Sequence, residues 1–244
     1  MDIPQDISEV IIDQLASESS DTEFTEGLRH ASLVSTAWVN RCQSHLFSTV
    51  TFSRGRSLET WRSRTRRGPD GVSKHVRTLT LGSGDVDWPT FIADDLKTAL
   101  PCLTSFRNLR ELRVEDTRIN LVPYEVLIPI FSSFASSLKR LSWHPGDNTW
   151  TVMSTLVNFL PNLVDLSLSG LKTIPQITSS PLPRIRLSGK VEYIGSFKFK
   201  HFKFQELRIE DYCVPHLPSF LEHCRTHLRA LDIKTAWAGG TSTL

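Results

Sequence analysis

Cys213-x2-His216 and Cys224-x2-His227, with His223 beside them, have the ligand types and the spacing that could hold a zinc ion. The same stretch also reads as packing. Cys224 falls on an apolar stripe with Leu217, Phe220, Leu221 and Leu228 at helical spacing, so no metal site is expected. Gly82-Ser83-Gly84 lacks the third glycine of a dinucleotide loop and reads as a turn. Asp85 and Asp87 have no base or metal motif near them. No G-x-S-x-G, phosphate-binding loop or H-E-x-x-H occurs, so the residues nominate no reaction, and neither an enzyme nor a cofactor is expected.

Two basic runs could serve recognition. Arg54, Arg56, Arg62, Arg64, Arg66 and Arg67 are relieved only by Glu59. Ser57 is placed to cap a short helix there, with Leu58 and Trp61 turned inward and Gly68-Pro69 closing it, so a solvated linker helix is expected. Lys198, Lys200 and Lys203 alternate with Phe197, Phe199, Phe202 and Phe204, which fits a strand with phenylalanines inward and lysines in water. The formal charge of the 244 residues is only +2, and one aromatic residue in the arginine run makes no stacking platform. No nucleic-acid partner is expected. Four separated cysteines without a C-x-x-C suggest reduced thiols in cytoplasm or nucleus. The N-terminus has no signal-like apolar core and no stretch approaches the roughly 18 apolar residues a spanning helix needs, so no membrane association is expected.

The pattern that dominates the chain is L-x-x-L-x-L with other apolar residues allowed. It starts at Val76, Leu109, Leu138, Leu163, Leu182, Phe204 and Leu228, at intervals of 33, 29, 25, 19, 22 and 24 residues. Fixed recurrence of a short unit signals a repeat architecture, with a short strand in each hexamer and a returning segment between. The fourth and sixth residues of each hexamer share one side of the strand and should be core. Helical returns are expected at Ile92, Leu96 and Leu100, at Leu127, Ile130, Phe131 and Phe134, at Met153, Leu156, Phe159 and Leu160, and on the Leu217–Leu228 stripe. Pro175, Pro181 and Pro183 leave no room for a helix after Leu163, and the return after Leu182 is also expected to be extended.

The third, fifth and seventh residues should face outward. They supply Arg113, Arg140, His144, Arg184, Arg186 and Arg208 as candidate substrate contacts, among Glu111, Glu115, Asp165, Glu206 and Glu210. Planar guanidinium groups suit carboxylate or phosphate, so an acidic or phosphorylated protein segment is the partner such a row would take. Arginine–glutamate pairing across strands is the competing explanation. Leu228 to Ile233 reads as a repeat strand, and the tail Thr235 to Leu244 is rich in Gly and Thr and offers only Trp237 as a plug, so an exposed last strand edge is expected.

The first fifty residues follow another rule. Asp6 and Glu9 have capping-box-like spacing, and Ile7, Val10, Ile11 and Leu15 follow at helical spacing. After a polar break at 17–22, a second helix should carry Phe24, Leu28 and Ala31, and a third Ala37, Trp38, Cys42, His45 and Leu46. From Phe47 to Phe52 the period changes to two, with Val50 and Phe52 on one face. Ile3-Pro4, the apolar first helix, Ser32-Leu33-Val34-Ser35 followed by Trp38, and His45-Leu46-Phe47 together resemble an F-box of the kind found in many fungal proteins, and the remainder resembles leucine-rich repeats.

The resemblance implies an α/β fold: an F-box-like three-helix module over 1–52, a basic linker helix over 53–72, and an irregular leucine-rich-repeat solenoid of about seven repeats over 73–244. It implies a substrate-recognition subunit of a cullin–RING ubiquitin ligase, docking on a Skp-type adaptor and through it a cullin. Ile3, Pro4, Ile7, Ile11, Leu28, Leu33, Val34 and Trp38 match the family positions that pack in or against the adaptor. The alternative is a repeat scaffold with no ubiquitin role, its N-terminal helices serving only as a cap.

Overall fold

Each hexamer alternates apolar and polar residues, so only one face of its strand can be buried, and parallel neighbours in register then align their apolar positions into rows. The computed structural model of the chain describes residues 4–18, 21–53, 55–65, 71–82, 93–115, 122–143, 159–169, 184–188, 206–210 and 228–234. It has eight strands: β1 (Thr49–Phe52), β2 (Thr78–Leu81), β3 (Glu111–Val114), β4 (Arg140–Trp143), β5 (Asp165–Ser169), β6 (Arg184–Ser188), β7 (Glu206–Glu210) and β8 (Ala230–Lys234). They form one sheet in chain order, every neighbouring pair parallel. The fold is α/β with a parallel sheet, and each of the seven sequence hexamers carries one strand, β2 to β8.

Backbone bonds hold the register. The carbonyl of the second residue of a hexamer accepts from the N–H groups of the second and third residues of the next. Ser48 accepts from Arg77 and Thr78 at 2.8 and 2.9 Å, Arg77 from Arg110 and Glu111 at 2.8 and 2.9 Å, and Arg110 from Lys139 and Arg140 at 2.8 and 2.9 Å. Lys139 accepts from Val164 and Asp165 at 2.8 and 3.0 Å. At the next rung Val164 accepts from Arg184 at 3.1 Å, and the second position there is Pro183, which has no N–H to give. Asparagine adds a side-chain tie at two rungs. Asn108 Nδ2 donates to the Lys74 carbonyl at 2.8 Å and Asn162 Nδ2 to the Ser136 carbonyl at 3.1 Å, each from the residue before its hexamer.

The Ser48 carbonyl shows that the ladder begins earlier than the seven hexamers. Phe47-Ser48-Thr49-Val50-Thr51-Phe52 is an eighth unit of the same kind, 29 residues before Val76. β1 therefore belongs to the sheet rather than to the helical module over 1–52. The basic helix α4 (Gly55–Thr65) is likewise more than a solvated linker. Leu58 is 1% exposed in the core of the sheet, and Trp61 meets Phe47, Phe52 and Phe106 at ring-centroid distances of 5.8, 5.7 and 6.1 Å. These two inward residues give α4 the packing of a returning helix, whereas its arginines dominate the composition. The helix starts at Gly55, so Ser57 lies inside its first turn and is not its cap.

Behind the sheet pack α5 (Ala93–Leu103) and α6 (Tyr124–Phe134), whose Leu96, Ala99, Leu103, Leu127, Ile130, Phe131 and Phe134 are buried. They cover two aligned rows, Val50-Leu79-Leu112-Leu141-Leu166 and Phe52-Leu81-Val114-Trp143-Leu168. Burying each aliphatic member contributes roughly 1.5 to 3 kcal/mol. Gly82 follows β2 at φ 96, a left-handed conformation that glycine adopts without Cβ strain, and the other two residues of the expected turn, Ser83 and Gly84, lie outside the described residues. The expected returns at Met153–Leu160 up to residue 158, after Leu163, after Leu182 and on the Leu217 stripe lie outside the described residues, as do the lysine–phenylalanine run and both Cys-x2-His pairs.

Leu112→Ala should cost about 2 to 5 kcal/mol, because Leu112 is fully buried between two rungs, and Asn108→Ala about 1 kcal/mol for its lost tie. Urea denaturation followed by far-UV circular dichroism checks both, the ordering being the decisive outcome.

Candidate interaction surfaces on the helical module and the open sheet face

Three helices precede the sheet: α1 (Gln5–Glu18), α2 (Asp21–Val34) and α3 (Thr36–Leu46). α1 begins one residue before Asp6, so Asp6 sits in the first turn and favours the helix through its dipole rather than as the cap. Among the described residues their shared core is Ile12, Leu28, Ala31 and Cys42, with Trp38 and Leu46 against it. The inward stripe of α1 is Ser8 and Ile12, 4% and 1% exposed. Its larger apolar set points the other way. Ile7, Val10, Ile11 and Leu15 are 49, 65, 39 and 39% exposed, at spacings that place them on one side of the helix.

An ion pair fixes this rotation. Asp13 accepts from Arg41 Nε at 2.8 Å and from Arg41 Nη2, and His45 Nε2 lies 2.8 Å from Asp13 Oδ1. Both partners come from α3, so α1 is tied to α3 along its Asp13 edge. The Arg41 hydrogen bond first, and that of His45 second, hold the Asp13 carboxyl at about 2, below its ordinary 3.8. Since the carboxylate only accepts, His45 Nε2 carries the proton in that contact.

The α2–α3 corner completes the surface. α2 ends at Val34, and Ser35 caps α3 with extended backbone, its Oγ accepting from the Ala37 N–H at 3.2 Å. This turn leaves Leu33 and Val34 at 83 and 71% exposed. Of the residues matched to adaptor contacts, Pro4, Ile7, Ile11, Leu33 and Val34 are exposed. Leu28, at 0%, and Trp38 pack inside the module instead, and Ile3 lies outside the described residues. Val10 and Leu15 were legible only as members of an apolar helix; their outward direction comes from the Asp13 tie.

The second surface is the sheet face opposite the helices. Arg113, Arg140, Arg184 and Arg186 are exposed there, as their hexamer positions require. Glu111 joins two of them: Arg113 Nε donates at 2.7 Å and Arg140 Nε at 2.8 Å, with Arg140 Nη2 in ion-pair contact at 2.6 Å. Burial raises the Glu111 carboxyl, but the bonds from Arg113 and Arg140 outweigh it and leave it lowered. Arg208 stands on β7 in register with Arg186 on one side and Asp232 on the other, and His144 lies outside the described residues.

Compared with known proteins, the chain matches no family model and no curated protein sequence. Among the described residues no group of three or more His, Cys, Asp or Glu could hold a metal ion, and no helix is long and apolar enough to cross a membrane. Cys42 and Cys102 are buried free thiols, and burial pushes the Cys42 thiol up.

A carboxyl lowered by folding contributes stability that is complete above its unfolded pKa and lost as pH falls through the folded value. The Asp13 contribution is therefore expected to disappear as pH falls from about 3.8 to about 2. Circular dichroism across that range should show wild type losing stability more steeply than Asp13→Asn, and equal slopes would contradict the role given to Asp13.

Proposed function

We propose that the chain is a substrate receptor: a helical module that docks on a Skp-type adaptor of a cullin–RING ubiquitin ligase, joined to a leucine-rich-repeat solenoid that holds a protein substrate. The observation that carries this reading is the outward apolar face of α1 together with Leu33 and Val34. A monomer seldom keeps such a group of large apolar residues in water without a partner. Ile7, Ile11, Leu33 and Val34 of this face, with Pro4, are among the positions matched by the F-box resemblance, and their exposure is what an adaptor contact requires. The receptor itself would break no bond. It would raise the local concentration of substrate lysines near a charged conjugating enzyme, an effect of proximity alone.

A module that served only as a cap would turn its apolar residues toward the sheet and its polar ones to water. α3 does meet the 3-10 turn Val72–His75 that leads into β2, but the apolar side of α1 is left exposed, which favours docking over capping. The ladder of second-position carbonyls supports the solenoid reading, since among the described strands β2 to β7 each pair with their two neighbours in chain order.

Val10→Asp with Leu33→Asp should abolish capture of the adaptor while leaving helicity unchanged, because both side chains already lie in water. Leu28→Asp should instead unfold the module, since it buries an unpaired charge at a site with no exposure. Co-expression pull-downs with far-UV circular dichroism separate the two results; adaptor capture by the folded double variant would sink the F-box reading.

A further inference from the structure

One row of the open face places four side chains in sequence. Arg113 is in register with Ser142, Ser142 with Ser167, and Ser167 with Arg186, on the consecutive strands β3 to β6. Two long cations thus bracket two short hydroxyls. Three strand spacings set the arginine backbones roughly 14 Å apart. Ser142 and Ser167 are half-buried between them, which makes a low seat between taller walls.

Both walls keep donors for a ligand. Arg113 uses only Nε, on Glu111, and its terminal nitrogens have no partner among the described residues. Arg186 is exposed and has no ion pair among the described residues. Glu111, with a side chain only 12% exposed, braces Arg113 and Arg140 together, so the first wall is held in place before any ligand arrives.

Charge is distributed unevenly between this row and its neighbour. The third hexamer positions read Glu111, Arg140, Asp165, Arg184 and Glu206 across β3 to β7, alternating in sign. The fifth positions read Arg113, Ser142, Ser167, Arg186 and Arg208 over the same strands, with no carboxylate. Positive charge on this part of the sheet is therefore concentrated in the row that contains the two serines.

We propose that Arg113, Ser142, Ser167 and Arg186 form a seat for a phosphorylated serine or threonine side chain of a bound protein, which rests on reading the open face as the substrate surface. A phosphate monoester presents three terminal oxygens and nearly two negative charges. It can meet guanidinium forks from two opposite sides while still accepting from a serine hydroxyl below. A carboxylate can also join two arginines, as Glu111 does, but it brings a single charge and two oxygens, fewer acceptors than two facing guanidinium groups and a hydroxyl can use together.

The test uses the full chain and a labelled peptide pool with a central phosphoserine in degenerate flanks, compared by fluorescence polarisation with pools carrying serine or glutamate at that position. The phosphoserine pool should bind at least about tenfold tighter than either, the difference expected for one lost charge-assisted hydrogen bond. Arg113→Gln and Arg186→Gln should each lose about tenfold. Ser167→Asp, which puts a carboxylate in the seat, should abolish the preference with an unchanged thermal melt. Equal binding of the phosphoserine and glutamate pools, or wild-type behaviour of both arginine variants, overturns the seat. Adaptor capture measured on the same preparation tests the receptor reading separately. A chain that captures the adaptor but does not distinguish the pools loses the seat and keeps the receptor role. One that prefers phosphoserine without capturing the adaptor keeps the seat and loses the ubiquitin-ligase role.

Discussion

The bond on which the sheet depends is the carbonyl at the second position of the hexamer, which at Ser48, Arg77, Arg110 and Lys139 is shared by two N–H groups of the next rung. It sets the register between neighbours at a fixed residue, so the fourth and sixth positions align into buried rows and the third and fifth into open ones. A slip of one residue would carry every leucine of a strand to the open face. The irregular spacing between hexamers is tolerated for the same reason. Added or missing residues fall in the returning segments and leave the rung untouched, as the unequal β1–β2 and β4–β5 intervals show.

The helical module is built on a different balance. Among the described residues its buried apolar core is Ile12, Leu28, Ala31 and Cys42, a cluster separate from the one behind the sheet. The Asp13–Arg41–His45 tie joins α1 to α3, and the Ser35 cap sets the turn from α2 into α3. That tie turns the larger apolar side of α1 to water. A partner that covers this side would stabilise the folded module by mass action, since the unfolded chain does not present the face. If the proposed adaptor is that partner, its binding and the folding of the module would be coupled.

The seven hexamers were legible because leucine-like residues recur at fixed offsets, and the strand of each lies where the pattern puts it. The eighth was not, for two physical reasons. Phe47 to Phe52 carries no leucine, and it follows directly on a helical pattern, so its period-two run was attached to the helices. Its return helix was obscured by charge: Arg56, Arg62 and Arg64 outnumber the two residues, Leu58 and Trp61, that pack it. On α1 the difficulty was direction. Apolar residues at 7, 10, 11, 12 and 15 cover more than half the circumference, so periodicity alone could not select the buried side. The choice is made by Asp13, whose partners lie 28 and 32 residues away on α3, a distance no local pattern reports.

The arginines of the open face show how register separates residues that look equivalent in sequence. Arg113, Arg140, Arg184, Arg186 and Arg208 all occupy outward positions of their hexamers. Alignment sorts them into two rows with different surroundings. Arg140 and Arg184 flank Asp165, within a row whose charges alternate, and Arg140 is bound by Glu111. The Arg140–Glu111 pair is open to water on its arginine side only, and it removes net charge from the row. Arg113 and Arg186 stand in the adjacent row, where serine replaces carboxylate on the two strands between them. The carboxylate that touches Arg113 comes from its own strand, two residues away, and engages only Nε, so it orients the guanidinium without occupying its outer donors. The difference between a neutral ladder and a cationic seat therefore rests on which residues stand at the third and fifth positions of β4 and β5, and that becomes visible only once the rungs are in register.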